Sequence, residues 1–524
     1  MSNTTHESPG SQLIAGLLRP DAYDHPDDAI RLTETHISWV ILAGDFAYKI
    51  KKPVNFGFLD FSTLEQRRFF CEEELRLNRR YAPELYLAVL PVTGSPEHPR
   101  MGGSGPPLEY AVQLRRFDEA LRFDALARNQ RLMPEHVDGL AARLAAFHAA
   151  IPRAAATDAH GLAERQYEAA ALNFTRLRAL PGEPGDLAKL DALQAWTNAE
   201  YANREPQMRR RKTEGCIREC HGDLHLANIV LLDGRPTLFD GIEFNEGLRW
   251  IDVLSELAFV AMDLEVHGEP TLAWRLVNRY LEITGDHAGL PLFDFYRVYR
   301  AMVRAKIARL SANPADTPAR RSQLRTTYDE YLAYALRVIE PRMPRLIITH
   351  GASGSCKSHI AALLAERLPA VRIRSDVERK RLAGIAADDR TGSDESSRIY
   401  RAAMTARTYG RLAELAGLLL DAGHSVMVDA TFLKLAQRDE QRRVAERRGA
   451  DFVILDCRAP LEVLRERVKA RALAGNDASD ADLTVLERQL QSREALMDDE
   501  LAHTLAVDSG RESAVEDVLA AIAG

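Results

Sequence analysis

The sequence predicts two folded regions: an α+β region with two lobes, followed by an α/β region built on a parallel sheet. A β-rich stretch gives way to a mostly helical stretch, and later in the chain short apolar strands alternate with helices. Between these regions Pro341 and Pro344 interrupt a helical pattern just before an apolar strand. We therefore predict domains at residues 1–340 and 343–524.

Composition narrows the class of protein. The 524 residues suffice for at least two hydrophobic cores. A net charge of -7 opposes a dominant nucleic-acid surface and favours small dissolved partners. The five cysteines are scattered, which fits reduced thiols better than a disulfide framework. No apolar run approaches the length that crosses a bilayer, so we expect a cytoplasmic protein without a membrane partner.

The first region begins with strands. Ile37–Leu42 and Phe46–Lys51 are β-rich runs joined through Gly44 and Asp45, which predicts a hairpin. Helical periodicity covers Leu64–Arg80, and strand patterns resume at Leu85–Val92 and Glu109–Phe117. Three helical stretches then predict the larger lobe: 135–150, 161–180 and 187–202.

A polar loop near the middle of the chain reads His-Gly-Asp-Leu-His-Leu-Ala-Asn, from His221 to Asn228. Asp223 and Asn228 lie five residues apart, and Asp240 follows at the end of a short strand. Phosphoryl transfer needs a base and metal-holding oxygens that converge on one point. The alternative is a polar turn with a capping aspartate, but the combined spacing favours a site.

Two lysines supply the positive charge that such a site needs. Lys49 and Lys51 share one face of the second hairpin strand, because side chains alternate along a strand. We favour Lys49 as the phosphate contact; a solvated strand lysine is the alternative. Helical spacing allows Glu73 or Glu74 to face inward as its ion-pair partner.

With these residues the first two-thirds of the chain resembles the aminoglycoside phosphotransferase and choline kinase branch of the protein-kinase-like superfamily. The resemblance implies a two-lobed kinase domain that uses ATP and Mg²⁺, with Asp223 as catalytic base. It further implies that Asn228 and Asp240 hold the metal, and that Asp252 braces the catalytic loop. The chain lacks the G-x-G-x-x-G loop of protein kinases, so backbone binding of phosphate is less assured.

A second phosphate-binding pattern runs from Gly351 to Ser358, between an apolar strand and a helix, as in a P-loop. Backbone N–H groups, the helix N-terminus and Lys357 are expected to meet the phosphates, and Ser358 the metal. Cys356 replaces the second glycine of the pattern, and its Cβ should weaken or reshape nucleotide binding. The residues predicted to bind nucleotide here are Gly351, Gly354, Ser355, Cys356, Lys357 and Ser358.

Residues after this loop indicate a kinase. Asp376 with Arg379 resembles the hydroxyl-binding element of P-loop kinases, and Asp429 follows an apolar strand as a metal-organising carboxylate does. Arg467 and Arg471 lie on a helix that could cover phosphates; a solvated, ion-paired face is the alternative. The last third thus resembles gluconate-kinase-like, zeta-toxin-like and polynucleotide-kinase-like proteins. That resemblance implies Asp376 as the base.

These observations predict a two-domain ATP-dependent phosphotransferase that moves phosphate from Mg-ATP to hydroxyl groups of small molecules. One alternative is a single catalytic domain with the P-loop domain as a nucleotide-binding regulatory module, which Cys356 favours. Another is a nucleic-acid 5′-hydroxyl kinase, resting on Asp376, Arg379 and the basic run Arg209–Lys212. The acidic overall charge makes a nucleic-acid partner unlikely.

Overall fold

A computed structural model gives the fold of the chain. It describes residues 9–25, 29–57, 59–180, 182–183, 185–313, 316–385, 402–474, 482–511 and 513–523. Contacts divide the chain into two compact units. The first comprises Met1–His136, Ala146–Arg165 and Arg211–Glu256, and the second comprises Val137–Ala145, Gln166–Arg210 and Leu257–Gly524. The second unit includes residues on both sides of position 340, so the predicted domain boundary stays a prediction.

The first unit is built on an antiparallel sheet in which six described strands have the order β1-β2-β3-β6-β4-β5. The predicted hairpin is confirmed: Ser38 pairs with Lys51 and Ala43 with Phe46, and Gly44 takes the positive φ of 56° at the turn. The strands are β1 Arg31–Glu34, β2 Ser38–Ala43, β3 Phe46–Lys51, β4 Tyr86–Ser95, β5 His98–Met101 and β6 Glu109–Arg115.

Alternation along β3 separates an apolar face from a charged one. Tyr48 and Ile50 join a hydrophobic cluster with Leu13 and Leu17 of the first helix. Lys49 and Lys51 point to the other face, where the helix after the hairpin packs against β4 and β6. That helix begins at a capping box in which Thr63 accepts a hydrogen bond from the backbone N–H of the third helical residue.

Two short strand pairs frame the central loop in the first unit. Antiparallel β7 (Ile217–Glu219) and β10 (Trp250–Asp252) form one pair, and β8 (Ile229–Leu232) and β9 (Arg235–Leu238) form the other. The described helices before residue 340 are α1 Pro9–Leu17, α2 Leu64–Asn78, α3 Phe123–Arg128, α4 Pro134–Ala150, α5 Ala163–Arg178, α6 Asp186–Thr213, α7 Glu246–Arg249, α8 Val253–Val266, α9 Pro270–Thr284, α10 Phe293–Leu310 and α11 Pro318–Val338.

The second unit contains a helical core and a parallel sheet. Phe259, Met302 and Tyr331 belong to the core that α8, α10 and α11 share. The five described strands of the sheet have the order β12-β13-β11-β14-β15, and every pair is parallel. This confirms the α/β class predicted for the last third. The strands are β11 Arg345–His350, β12 Ala370–Arg374, β13 Ser425–Asp429, β14 Asp451–Arg458 and β15 Thr504–Asp508.

Helices cover this sheet and bury its apolar residues. Ile347 of β11 and Met427 of β13 pack with Ile360 and Leu364 of the helix that follows β11. The helices described after residue 340 are α12 Lys357–Arg367, α13 Ser375–Leu382, α14 Ala402–Asp421, α15 Leu435–Glu446, α16 Leu461–Ala474, α17 Leu483–Ser492, α18 Asp498–Leu501 and α19 Ala514–Ala523. In the described part of the chain, no helix combines the length and apolarity needed to cross a membrane.

Candidate active sites

In the first unit, two lysines of β3 pair with one carboxylate of α2. Lys49 Nζ donates to Glu74 Oε1 at 2.9 Å, and Lys51 Nζ donates to Oε2 at 2.7 Å. The shared face predicted from strand alternation is what brings both amines to one side chain. Of the two predicted partners, the structure places Glu74 against Lys49. Glu73 lies on the neighbouring helix position and pairs with Arg76 at 2.8 Å.

Two more carboxylates extend this arrangement. Lys49 also pairs with Asp240, and Lys51 pairs with Glu243. The Lys51 side chain is only 1% exposed, whereas that of Asp240 is 46% exposed. We call Lys49, Lys51, Glu74 and Glu243 the buried charge cluster. Glu243 was missed by sequence reasoning, although it lies only three residues after Asp240.

The charged residues of the cluster shift one another's pKa values. Burial raises the pKa of Glu74, but the two lysines outweigh burial and lower that pKa to about 2. Burial lowers the pKa of Lys49, but Asp240 and Glu74 outweigh it and raise the pKa well above its ordinary value. Lys49 therefore stays positively charged at neutral pH, as a contact for phosphate must.

The central loop holds Asp223 at its surface. Asn228 Nδ2 donates to the backbone carbonyl of Asp223 at 2.9 Å, which closes the loop. The Asp223 side chain is 36% exposed, and its Oδ2 lies 3.5 Å from Nε2 of His225. Gly222 has a φ of 89°, and a Cβ there would lie 2.7 Å from the backbone oxygen of Leu248. Only glycine fits immediately before the candidate base.

Buried side chains anchor this loop from below. The backbone N–H of Gly222 donates to Glu256 Oε1 at 2.8 Å, and Glu256 Oε2 lies 2.9 Å from Nε2 of His148. His221 Nε2 lies 2.7 Å from the backbone oxygen of Phe239, the residue before the second candidate metal ligand. Burial lowers the pKa of His221, which favours the neutral ring. His221 thus connects the backbone next to Asp223, the candidate base, with the backbone next to Asp240, the candidate metal ligand.

The residue predicted to brace the loop has another clear contact. Asp252 is buried and accepts hydrogen bonds from Arg211 Nε and Nη2 at 2.6 and 2.7 Å. Glu256, in the first turn of α8, makes the contact to the loop. Lys212 donates to the backbone oxygen of His160 at 2.6 Å, so half of the basic run 209–212 is engaged inside the first unit.

The first unit offers oxygens that suit Mg²⁺, which prefers carboxylate and amide oxygen ligands. Asp240 takes a positive φ of 63°, and its backbone N–H donates to the Tyr86 hydroxyl at 2.9 Å. Its carboxylate is therefore presented by a fixed turn. Since Asn228 Nδ2 donates to the loop, Oδ1 is the atom that remains for a cation. Asp240 and Asn228 would hold the metal.

In the second unit, the P-loop pattern lies between β11 and α12. Gly351 and Gly354 take positive φ values of 141° and 86°. A Cβ at Gly354 would lie 2.6 Å from the backbone oxygen of Leu464, so α16 packs directly on the loop. Cys356 is the N-cap residue of α12 and has φ 57° and ψ 18°. This left-handed conformation costs a non-glycine residue roughly 1–2 kcal/mol.

Asp429 lies next to the P-loop and has one carboxylate oxygen without a hydrogen bond among the described residues. Ser358 Oγ donates to Asp429 Oδ1 at 3.0 Å, and Lys357 Nζ donates to a backbone carbonyl of the loop at 3.0 Å. Among the described residues, Asp429 Oδ2 has no hydrogen-bond partner, and Ser355 Oγ is also buried without one. Arg374 Nε lies 3.7 Å from Asp429 Oδ2. A hydroxyl and a carboxylate this close fit Mg²⁺, which Ser358 and Asp429 would hold.

The candidate base of this unit follows β12, the strand next to β13. Asp376 lies in the first turn of α13 and accepts from Arg379 Nη1 at 2.8 Å. Asp429 ends β13, so both carboxylates lie at the carboxyl edge of the sheet. In open α/β sheets this edge is where ligands bind.

The arginines of α16 differ in their contacts. Arg467 Nη1 donates to the backbone oxygen of Gly354 at 3.4 Å and to Ser509 Oγ at 3.0 Å, so it reaches the P-loop. Arg465 pairs instead with Glu487 at 2.7 Å on the surface. Arg471 lies in α16, but its side chain is outside the described residues.

A cavity of about 410 Å³ opens at the same edge of the sheet. Arg458 and Pro460 line it at the end of β14, and Asp508 and Arg511 line it at the end of β15. Its position beside the loop contacts of Arg467 gives the second unit a concave surface next to its phosphate-binding pattern.

Comparisons with known proteins agree with this architecture. The family model described as an AAA domain matches residues 346–496. The uncharacterized protein Rv2004c of Mycobacterium tuberculosis is 32% identical over 466 residues, which cover 88% of this chain and 90% of that protein. The uncharacterized protein Mb2027c of Mycobacterium bovis matches with the same identity and coverage.

Solved structures match the two parts of the chain separately. The amicoumacin kinase hAmiN, in complex with AMP-PNP, is 10% identical, with 63% of this chain and 94% of that chain covered and a TM-score of 0.38. A gluconokinase from Sinorhizobium meliloti is 26% identical, with 35% and 93% covered and a TM-score of 0.24. In the last third of the chain, the family model and the parallel sheet that carries the loop from Gly351 to Ser358 agree on a P-loop domain.

Proposed function

We propose, on the premise that the chain belongs to the family of the mycobacterial proteins Rv2004c and Mb2027c, that it is an ATP-dependent phosphotransferase with two Mg-ATP sites. Each site transfers the terminal phosphate to a hydroxyl group of a small molecule. The observation that carries the proposal is the pairing of Lys49 with both Glu74 and Asp240, since this joins the phosphate contact to the metal carboxylate.

At the first site, Asp223 accepts the proton of the acceptor hydroxyl, and its half-open position leaves room for that group. Asn228 and Asp240 would hold Mg²⁺, which would neutralise charge on the phosphates. Lys49 binds the phosphates, and Glu74 keeps its amine in place. Positioning and electrostatic stabilisation are the main demands of phosphoryl transfer, and these contacts supply both.

At the second site, the loop from Gly351 to Ser358 binds the phosphates of a nucleotide and Asp376 is the base. Asp429 Oδ2 supplies an oxygen that has no hydrogen-bond partner among the described residues. Arg467 lies at the loop and contributes positive charge. The cavity between the ends of β14 and β15 is the place for the nucleobase.

A second candidate function is that the P-loop region only binds nucleotide and regulates the first site. The left-handed Cys356 favours it, because the Cβ lies where a P-loop normally has none. Under this alternative, Lys357-dependent nucleotide binding persists while no acceptor gains phosphate at that site.

The test is an untargeted screen for metabolites that gain phosphate, run with the wild type, Asp223→Ala and Lys357→Ala. We expect each substitution to lower a distinct transfer activity by roughly 100-fold or more. Asp233→Ala, in the exposed turn between β8 and β9, is the matched control and should leave both activities intact. If neither substitution changes ATP consumption or phosphate transfer, the proposal is wrong.

A further inference from the structure

Helix α9 packs against the P-loop region although it lies outside the residues matched by the AAA family model. Arg275 Nη1 donates to Glu366 Oε1 of α12 at 3.1 Å. Asn278 Nδ2 donates to the backbone oxygen of Ala370 at 3.0 Å, and its Oδ1 accepts from the backbone N–H of Arg372 at 2.7 Å. The side chain of Asn278 therefore extends the edge of β12 with a second set of hydrogen bonds.

Glu282, in the last turn of α9, accepts hydrogen bonds from two arginines of β12. Glu282 Oε1 accepts from Arg374 Nη1 at 2.7 Å, and its Oε2 accepts from Arg372 Nη2 at 3.1 Å. The Glu282 side chain is only 9% exposed. Arg372 also donates to the backbone oxygen of Ser358 at 3.0 Å. One carboxylate thus holds two arginines that lie next to the candidate cation ligands.

The contact between Glu282 and the two arginines depends on the negative charge of Glu282. Burial raises the pKa of Glu282, but Arg374, Arg372 and Arg279 outweigh burial and lower it. Glu282 is consequently ionised at neutral pH. Arg374 lies between two carboxylates, with Nη1 at hydrogen-bond distance from Glu282 and Nε 3.7 Å from Asp429 Oδ2. A guanidinium released from Glu282 would still lie within ion-pair distance of Asp429.

We propose that Glu282 is a positioning residue for the cation site of the P-loop region. It holds Arg374 back, so that Asp429 Oδ2 stays open to Mg²⁺ instead of forming a full ion pair. The cation site is then completed by a helix that precedes the P-loop region in sequence. This inference rests on the proposed binding of Mg-nucleotide at Ser358 and Asp429.

The experiment measures binding of a nonhydrolysable ATP analogue to the full-length chain at increasing Mg²⁺ concentrations. The binding that Lys357→Ala abolishes defines the P-loop site. In Glu282→Gln, the side chain keeps its shape and loses its charge, so we expect half-saturation to need roughly tenfold more Mg²⁺, a size typical of residues behind a metal ligand. Adding Arg374→Gln to that variant should restore the wild-type Mg²⁺ dependence, because the competing cation is gone.

Arg275→Gln is the matched control on the same helix. It breaks a contact of α9 with α12 without touching Arg374, and its Mg²⁺ dependence should equal that of the wild type. Wild-type Mg²⁺ dependence in Glu282→Gln, or an equal defect in the double variant, overturns the inference while the proposed function stands. If Lys357→Ala abolishes no binding, the proposed second site is wrong and the inference falls with it.

Discussion

The two candidate sites handle charge in opposite ways. In the first unit, both oxygens of Glu74 are taken by lysines, and Lys51 is sealed between Glu74 and Glu243. In the second unit, Asp429 keeps an oxygen without a hydrogen-bond partner among the described residues, and Lys357 donates to a backbone carbonyl of the loop. The buried charge cluster beside the first site is paired within the protein, whereas the second site retains a carboxylate oxygen for a ligand.

Because of this difference, we expect charged residues to affect the stability of the protein at the first site and its affinity for ligands at the second. A buried charge cluster strongly resists the loss of one member, because an uncompensated buried charge is expensive. Asp429, whose Oδ2 lies near Arg374 without a hydrogen bond among the described residues, contributes less to the free energy of folding. Its affinity for a cation depends on the charges around it. We therefore expect substitutions at the first site to change folding first, and substitutions at the second to change ligand affinity first.

The largest effect should come from Lys51→Met. The substitution leaves Glu243 buried and without its lysine, which should destabilise the protein by about 3–5 kcal/mol. Urea unfolding measures the loss. Lys52→Met, at the next and more exposed position, should change stability by less than about 1 kcal/mol.

Removing both charges tests whether the unpaired carboxylate is the cause. Replacing Lys51 and Glu243 together by methionine should recover most of the lost stability, because apolar residues of similar volume often replace a buried ion pair at little cost. A double variant as unstable as Lys51→Met alone would contradict this explanation.

The next effect concerns Glu256, which anchors the loop that carries the candidate base Asp223. Glu256→Gln removes the charge that meets His148 and weakens the hold on the Gly222 N–H. We expect kcat of the Asp223-dependent reaction to fall roughly 10- to 100-fold with KM for ATP nearly unchanged, because misplacing a base slows chemistry more than binding. Glu109→Gln, which alters a buried carboxylate paired with Arg67, is the control. A rise in KM alone would argue against a positioning role.

Much of this architecture could be predicted from sequence because it depends on local patterns. The hairpin through Gly44, the lysine pair of β3 and the strand before Gly351 follow from alternation and glycine placement. Sequence patterns in the last third predict strands at 346–349, 371–374, 425–428 and 452–456 but not β15, because Thr504–Asp508 is a short edge strand that pairs only with β14 in the described sheet. Edge strands carry weak periodicity.

The charged partners were harder to predict. Periodicity allowed Glu73 and Glu74 equally, and only the packing of α2 against the sheet placed Glu74 at Lys49. Glu243 and Glu282 contact residues that are distant in the sequence, at separations that no helical or strand period encodes. Cys356 could be identified as a departure from the P-loop pattern, but its left-handed backbone is a property of the folded loop.

The smallest effect should be a change in the nucleotide affinity of the second site when Cys356 is replaced. Glycine adopts the backbone of residue 356 without the steric cost of a Cβ, and it opens the approach to a phosphate. Because the Cβ no longer obstructs that approach, Cys356→Gly should tighten Lys357-dependent nucleotide binding by about 1 kcal/mol, or roughly fivefold, in a direct titration. Cys356→Ala keeps the Cβ and removes the thiol, so it should bind like the wild type. Equal tightening in both variants would contradict this explanation, because both lack the sulfur atom and only Cys356→Gly lacks the Cβ.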